Sequence, residues 1–227
     1  MRAEPLFELK EIAFGYRERP PILKGASLAL YPGERLALTG RNGCGKTTVL
    51  SIVMGLLRPL SGEVWIFGRK REKEKDFRET RPLLGFVFQD ANDQLFSPTV
   101  YDDIAFGPLN MGATPKEAGL IVGEVLESLG LEGFGPRVTH DLSGGEKKLV
   151  SLGTALALSP RTLILDEPSN FLDQDAQDRL VSVLNARKLP LLIVSHDFAF
   201  LRTLKCRFLT LSEGVIKNLE DPELSRD

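Results

Sequence analysis

A chain of 227 residues with 42% hydrophobic side chains can bury a substantial core, either as one domain or as a core with a packed subdomain. Its 29 basic and 31 acidic residues nearly cancel to a formal net charge of -2, which lacks the basic excess of a nucleic-acid footprint and argues against a nucleic-acid partner. No apolar run reaches the ~18 residues of a membrane-spanning helix, and the opening Met1-Arg2-Ala3-Glu4-Pro5 has no apolar stretch of the secretory kind, so a soluble, cytoplasmic chain is expected.

The first ~35 residues alternate apolar and polar side chains, as does Gly62-Glu63-Val64-Trp65-Ile66-Phe67-Gly68; both suit antiparallel strands beside a main sheet. Between them, Leu36-Ala37-Leu38-Thr39 reads as a buried strand ahead of a glycine-rich loop, with a helix over residues 47–57. The run Arg69-Lys70-Arg71-Glu72-Lys73-Glu74-Lys75-Asp76 mixes both signs and reads as a solvated connection. Gly85-Phe86-Val87-Phe88 is the next buried strand. Between Pro98 and Leu158 strand signals stop, and the pattern turns helical, with an amphipathic helix over 116–129 and another from the glycines near 144 to 157. Leu163-Ile164-Leu165 and Leu191-Leu192-Ile193-Val194 are again strands, followed by helices over 174–187 and 198–204. Strand then helix, repeated, predicts an α/β sheet with a mostly helical insertion. Cys44 and Cys206 have neither metal-ligand spacing nor a disulfide framework and read as small loop or buried residues.

Gly40-Arg41-Asn42-Gly43-Cys44-Gly45-Lys46-Thr47 matches G-x-x-x-x-G-K-[ST] between a predicted strand and a predicted helix, a context that argues against a chance match in a turn. Glycines let successive N–H groups turn inward around β- and γ-phosphates, and the following helix points its positive end at the same charge. Lys46 is expected to neutralise phosphate oxygens, and Thr47 to place its hydroxyl on Mg²⁺. Leu163-Ile164-Leu165-Asp166-Glu167-Pro168 is an apolar strand ending in two acids, where ligands collect in open α/β sheets. Asp166 would hold Mg²⁺, directly or through water, and Glu167 would polarise the attacking water as a general base. Taken alone, the same pair is also what a strand ending in a charged turn looks like.

Leu142-Ser143-Gly144-Gly145-Glu146 resembles the signature motif of ATP-binding-cassette (ABC) ATPases, and the resemblance extends over essentially the whole chain. It implies a P-loop NTPase (RecA-like) core with N-terminal antiparallel strands over 1–94 and 159–227, and a helical subdomain over 95–158, together one ABC ATPase domain over 1–227. Tyr16 resembles the aromatic residue that stacks on adenine, although Phe14 and Tyr16 also fit one face of a strand. Residues 40–48 resemble the Walker A loop, with Asn42, Gly43, Cys44, Gly45, Lys46, Thr47 and Thr48 at the nucleotide. Gln89 resembles the Q-loop glutamine, a contact for Mg²⁺ or the attacking water. Asp166 and Glu167 resemble Walker B, Ser169-Asn170-Phe171-Leu172-Asp173 the D-loop, and His196 the switch histidine that senses the γ-phosphate. Ser143, Gly144 and Gly145 open a helix whose N–H groups make a second anion site. In the family arrangement that site caps the ATP of a second subunit in a head-to-tail dimer. Two departures stand out: Leu149 where the family often has arginine, and Phe171 where its D-loops often carry small residues or histidine.

Phe88-Gln89-Asp90-Ala91-Asn92-Asp93-Gln94-Leu95-Phe96-Ser97-Pro98-Thr99-Val100 and the following Asp102-Asp103-Ile104-Ala105-Phe106-Gly107-Pro108-Leu109-Asn110 resemble energy-coupling-factor importers, especially their cobalt and nickel ATPases. That resemblance implies ATP and Mg²⁺ as cofactors, a second ABC ATPase subunit, an integral membrane coupling protein, a solute-binding membrane subunit, and a peripheral place on the cytoplasmic face of the membrane. Leu95, Phe96 and Val100 would floor the groove for the coupling protein, with Asp93 supplying charge; the competing reading packs them inside the subdomain. Only residues 215–227 follow Gly214, so no long C-terminal regulatory domain is expected. The other readings are another ABC importer, for a vitamin or micronutrient, a non-transport ABC ATPase, and a non-hydrolysing cassette. The non-transport class would call for a heptad insertion, twin cassettes or a basic face, and the non-hydrolysing one for a degenerate Walker B or signature.

Overall fold

The computed structural model describes residues 4–17 and 20–220; Met1-Arg2-Ala3 and residues 221–227, on which the expectations about a leader and a C-terminal domain partly rest, lie outside the described residues. In chain order the elements are β1 (Phe7–Phe14), β2 (Leu23–Leu30), β3 (Arg35–Thr39), α1 (Lys46–Val53), β4 (Ser61–Ile66), β5 (Arg69–Arg71), α2 (Glu74–Arg78) and β6 (Leu84–Val87). There follow α3 (Val100–Asn110), α4 (Pro115–Ser128), α5 (Gly144–Leu156), β7 (Thr162–Asp166), α6 (Gln174–Arg187), β8 (Leu191–Val194), α7 (Phe198–Thr203), β9 (Arg207–Ser212) and β10 (Val215–Asn218). The described residues group into two compact units, one running to Arg81 and resuming at Pro190, the other Pro82–Leu189.

In the first unit, β2, β1, β4 and β5 form an antiparallel sheet in that order, with Phe7 opposite both Leu30 and Ile66. The alternation read from the sequence buries Phe7, Leu9, Ile12 and Phe14, and a register shift at Glu11 restores the inward set after the strand bends. Trp65 on β4 donates its indole N–H to Glu63 Oε2 at 3.0 Å, and Lys10 Nζ lies 4.8 Å from the ring centroid. Strand β3 pairs in parallel with β8 and β9, and its apolar run is buried on both faces, as a covered parallel strand requires. The hairpin β9–β10 was not read from the sequence. Its signal is Glu213-Gly214, a two-residue turn with positive φ at both positions.

Helix α1 stops at Val53 rather than at Leu57 because Gly55 turns the chain at φ 66, where an added Cβ would sit 2.2 Å from the Phe77 ring. The mixed-charge run is solvated as expected but ordered, contributing β5 and α2. Arg71, mostly buried, donates to the carbonyls of Ile66 and Asp76, and Lys70 bridges Glu63 and Glu72.

In the second unit, β6 and β7 pair in parallel, Leu84 beside Thr162. The expected helical segment lies within this unit as α3, α4 and α5. Each helix starts on a local signal. Thr99 caps α3, while Thr114 with Glu117 and Ser143 with Glu146 form reciprocal capping boxes on α4 and α5. Asp103 is buried and accepts from Phe96 N at 3.1 Å, Ser97 N at 2.9 Å and the Thr139 hydroxyl at 3.0 Å, fixing the loop before α3.

Candidate functional site

The phosphate loop belongs to the first unit. Thr39 ends β3 with its hydroxyl donating to Leu209 O at 2.9 Å. Gly40 then takes φ 141, and a Cβ there would lie 2.6 Å from Leu211 O, so only glycine lets the chain pass. Lys46 Nζ reaches back across the loop, donating to Gly40 O at 2.8 Å and Arg41 O at 3.2 Å, which leaves its third proton for another acceptor. The cap of α1 is Gly45, with no side-chain hydrogen bond to the first turn. The N–H groups at the start of a helix point along its axis towards its positive end, the end that α1 turns towards the loop. Asn42, Gly43 and Cys44 form the turn between strand and helix. Tyr16, just past β1, is 3.2 Å from Thr48 Oγ1 through its hydroxyl and edge-on to Phe14 at 5.1 Å. It stands beside the loop with its ring half exposed. His196 follows β8 and is exposed, while its neighbour Asp197 caps α7 by accepting from Phe200 N.

The remaining sequence-predicted residues belong to the second unit. Strand β7 is buried throughout and delivers Asp166 and Glu167 at its carboxyl end. Glu167 has φ 45, a left-handed backbone uncommon for a side chain of this size, and it turns the chain out of the strand towards Pro168. Phe171 repeats the device at φ 64, with its ring 88% exposed. Asp173 then caps α6 by accepting from Ala176 N at 2.8 Å.

Ser143 accepts from Glu146 N at 3.2 Å, and Glu146 Oε2 accepts from Ser143 N at 2.8 Å. The capping box fixes the glycine-rich start of α5. A Cβ on Gly144 would meet nothing within 4 Å, so the helix start stays open to a ligand. Gln89 is exposed just beyond β6, and Asp90 caps the short turn after it through Asn92 N. A cavity of about 400 Å³ in this unit is bordered by Gln89, Asp90, Gly144, Lys147, Asn170 and Phe171, so three of the motifs open onto one space.

Two side chains that the sequence reading passed over hold this region. Lys148, only 3% exposed, donates to Phe88 O at 3.1 Å and Gln89 O at 2.6 Å. Burial draws the pKa of its ammonium down, opposed by the negative charges of Asp166, Asp90 and Glu167. Gln94 accepts from Phe88 N at 3.0 Å and donates to Ser151 O at 2.9 Å and to Thr154 Oγ1 at 2.7 Å. A lysine one helical turn from Leu152 and two from Leu156, on a buried face, was the available signal for the first. Leu149, the departure from arginine, is an ordinary buried core residue. Leu95 and Val100 are also packed inside the unit, which corrects their reading as groove floor, whereas Phe96 is 67% exposed and stacks edge-on against Phe106.

The donor set fits MgATP. The loop carries helix-end N–H groups and the Lys46 ammonium, which suit phosphate oxygens, and the Thr47 hydroxyl is a hard oxygen of the kind that Mg²⁺ takes. Among the described residues no group of three or more His, Cys, Asp or Glu is placed to hold a metal ion.

The profile described as ABC transporter matches residues 23–170. The energy-coupling factor transporter ATP-binding protein EcfA of Methanothermobacter thermautotrophicus is 38% identical over 213 residues, covering 92% of this chain and 68% of the relative. Among solved structures, CbiO1 from Clostridium perfringens, described as part of the ABC transporter complex cbiONQ, superposes with a TM-score of 0.85 at 30% identity, covering 97% of this chain and 90% of the other. The ATP-binding cassette MJ0796, described as dimeric and bound to ADP and Pi after hydrolysis, gives a TM-score of 0.84 at 25% identity, covering 94% of this chain and 99% of the other.

Proposed function

The chain belongs to the ABC transporter family, as one of its ATP-binding subunits with the P-loop NTPase fold, and from that premise we propose that it drives an energy-coupling-factor importer whose solute is cobalt or nickel ion. The transporter ATPase activity and the use of ATP with Mg²⁺ follow from the family. The narrower assignment is supported by the similarity to EcfA and to CbiO1, and by the segment from Phe88 to Asn110.

In this reading the N–H groups of residues 43–48 and the Lys46 ammonium bind the triphosphate, and Tyr16 lies against the adenine. Thr47, Asp166 and Gln89 would be the residues to hold Mg²⁺, which when bound would supply charge neutralisation to the triphosphate. Glu167 accepts a proton from the attacking water, and His196 hydrogen-bonds the γ-phosphate. Ser143, Gly144 and Gly145 act on the nucleotide of a second subunit, because one chain cannot close both anion sites on the same phosphates. ATP then favours the closed dimer and hydrolysis the open one, which moves the attached membrane protein.

The observation that carries the hydrolytic reading is Glu167: a carboxylate 6% exposed at the end of a buried strand, turned by a left-handed backbone. Glu167→Gln is expected to bind MgATP while turnover falls roughly 10²–10⁴-fold in a phosphate-release assay; near-normal turnover overturns the assignment. No helix among the described residues is long and apolar enough to cross a membrane. A place on the cytoplasmic face therefore rests on partners, a coupling protein and a solute-binding subunit, with the exposed Phe96 and Phe106 as contact candidates. Affinity capture from detergent-solubilised membranes is expected to recover integral proteins of an import system, and recovery of none counts against the transporter assignment.

A further inference from the structure

Between β6 and the short turn after it, the main chain at Phe88 and Gln89 is held from both of its polar sides by groups tied to α5. Its carbonyls receive two hydrogen bonds from a single ammonium, Lys148 Nζ, at 3.1 Å and 2.6 Å. On the donor side, Phe88 N bonds Gln94 Oε1, and the amide nitrogen of Gln94 is bound in turn to Ser151 O and Thr154 Oγ1 of α5. Lys147, next along the helix, adds a bond to Asn92 Oδ1 at 3.3 Å. The Lys148 contacts are charge-assisted and come from a side chain that is itself buried, a setting that strengthens such bonds. An ammonium on a four-carbon stem, with three rotatable donors, can satisfy two consecutive carbonyls at once.

We propose that Lys148 is a positioning residue for ATP hydrolysis: by fastening the carbonyls of Phe88 and Gln89 to the helix that begins with the signature residues, it sets the direction in which the Gln89 side chain leaves the loop. The inference rests on the reading of Gln89 as a group that acts on Mg²⁺ or the attacking water. It also gives the signature a path to the Q-loop. A displacement of α5 carries Lys148, and through the two bonds of its ammonium the main chain that bears Gln89. A lysine that merely satisfied buried carbonyls would contribute to stability alone.

The test is a mutant cycle on the full chain, read as MgATP turnover, KM for MgATP, and melting temperature. Lys148→Met keeps the length of the side chain and removes the donors. It is expected to lower kcat roughly 10- to 100-fold, as misplacement of a reacting group does, with KM changed less than about threefold. Lys148→Arg, which restores donors, is expected to recover most of the turnover. Lys148→Leu, which likewise lacks donors, serves the same comparison should the methionine variant not fold. In a Gln89→Ala background, Lys148→Met is expected to add less than about a twofold further loss, because the side chain it positions is gone. Turnover of Lys148→Met within about twofold of the unaltered chain overturns the inference, as does a loss that multiplies in full on Gln89→Ala. If Gln89→Ala itself leaves turnover unchanged, the catalytic reading of Gln89 is overturned together with the inference; if only Lys148→Met is silent, the inference alone falls.

Discussion

Cys44 and Cys206 are the same side chain in opposite surroundings. Cys44 is partly exposed in the phosphate loop, while Cys206 is buried and its thiol is pushed up to about 12 by desolvation, with Arg35 opposing. A thiol reagent at neutral pH is expected to modify Cys44 and spare Cys206 until the chain unfolds, and MgATP is expected to slow the modification of Cys44; mass mapping of the labelled peptides checks both. The pH dependence has a definite sign. The unfolded thiol loses its proton near its ordinary value of 9.0, while the folded one keeps it to about 12, so this contribution to stability is whole below 9.0 and declines as pH rises towards 12. Gly40→Ala forces a methyl against Leu211 O and is expected to cost about 1–3 kcal/mol in urea unfolding while weakening ATP binding. Residues such as Lys46, Asp166 and Glu167 were legible in the sequence because the elements that place them are contiguous with them, a strand end or a helix start. Lys148 and Gln94 were not, since their partners stand 60 and 57 residues away and nothing local marks a lysine as buried.

At the scale of the element, α4 and α5 begin with the same chemistry, a Ser or Thr cap with a reciprocal Glu, and this makes them a matched pair. Thr114→Ala and Ser143→Ala are each expected to lower stability by about 0.5–2 kcal/mol in chemical denaturation. Turnover is expected to fall only for Ser143→Ala, whose helix start carries the signature; an equal fall in both would reduce the signature serine to a cap. Strand and helix order was readable from period and punctuation, and α6 appears with the bounds that the pattern gave. The pattern failed where tertiary contact decided the outcome. Helix α1 ends early because Phe77 fills the space behind Gly55, and the charged run is ordered by Arg71, which ties the carbonyls of Ile66 and Asp76. Leu95 and Val100 look like surface anchors in sequence and become core because Asp103 draws the preceding loop inward.

For the whole molecule, the functional proposal predicts association that depends on nucleotide. Glu167→Gln with MgATP is expected to sediment as a dimer and to revert to monomer when Mg²⁺ is chelated; a monomer under both conditions counts against composite sites. Within one chain, the phosphate loop and His196 fall in one compact unit, and Gln89, the signature and the Walker B acids in the other, so cooperativity of unfolding becomes a functional question. The sole tryptophan makes it measurable. Trp65 lies on β4 with Lys10 over its ring and Glu63 on its indole N–H, so its fluorescence emission reports the melting of the antiparallel sheet in the first unit. Far-ultraviolet circular dichroism is weighted towards helices, and the longest ones, α3 to α6, are in the second unit. Coincident midpoints for the two signals would mark a single cooperative transition, whereas separated midpoints would show that each half can open alone.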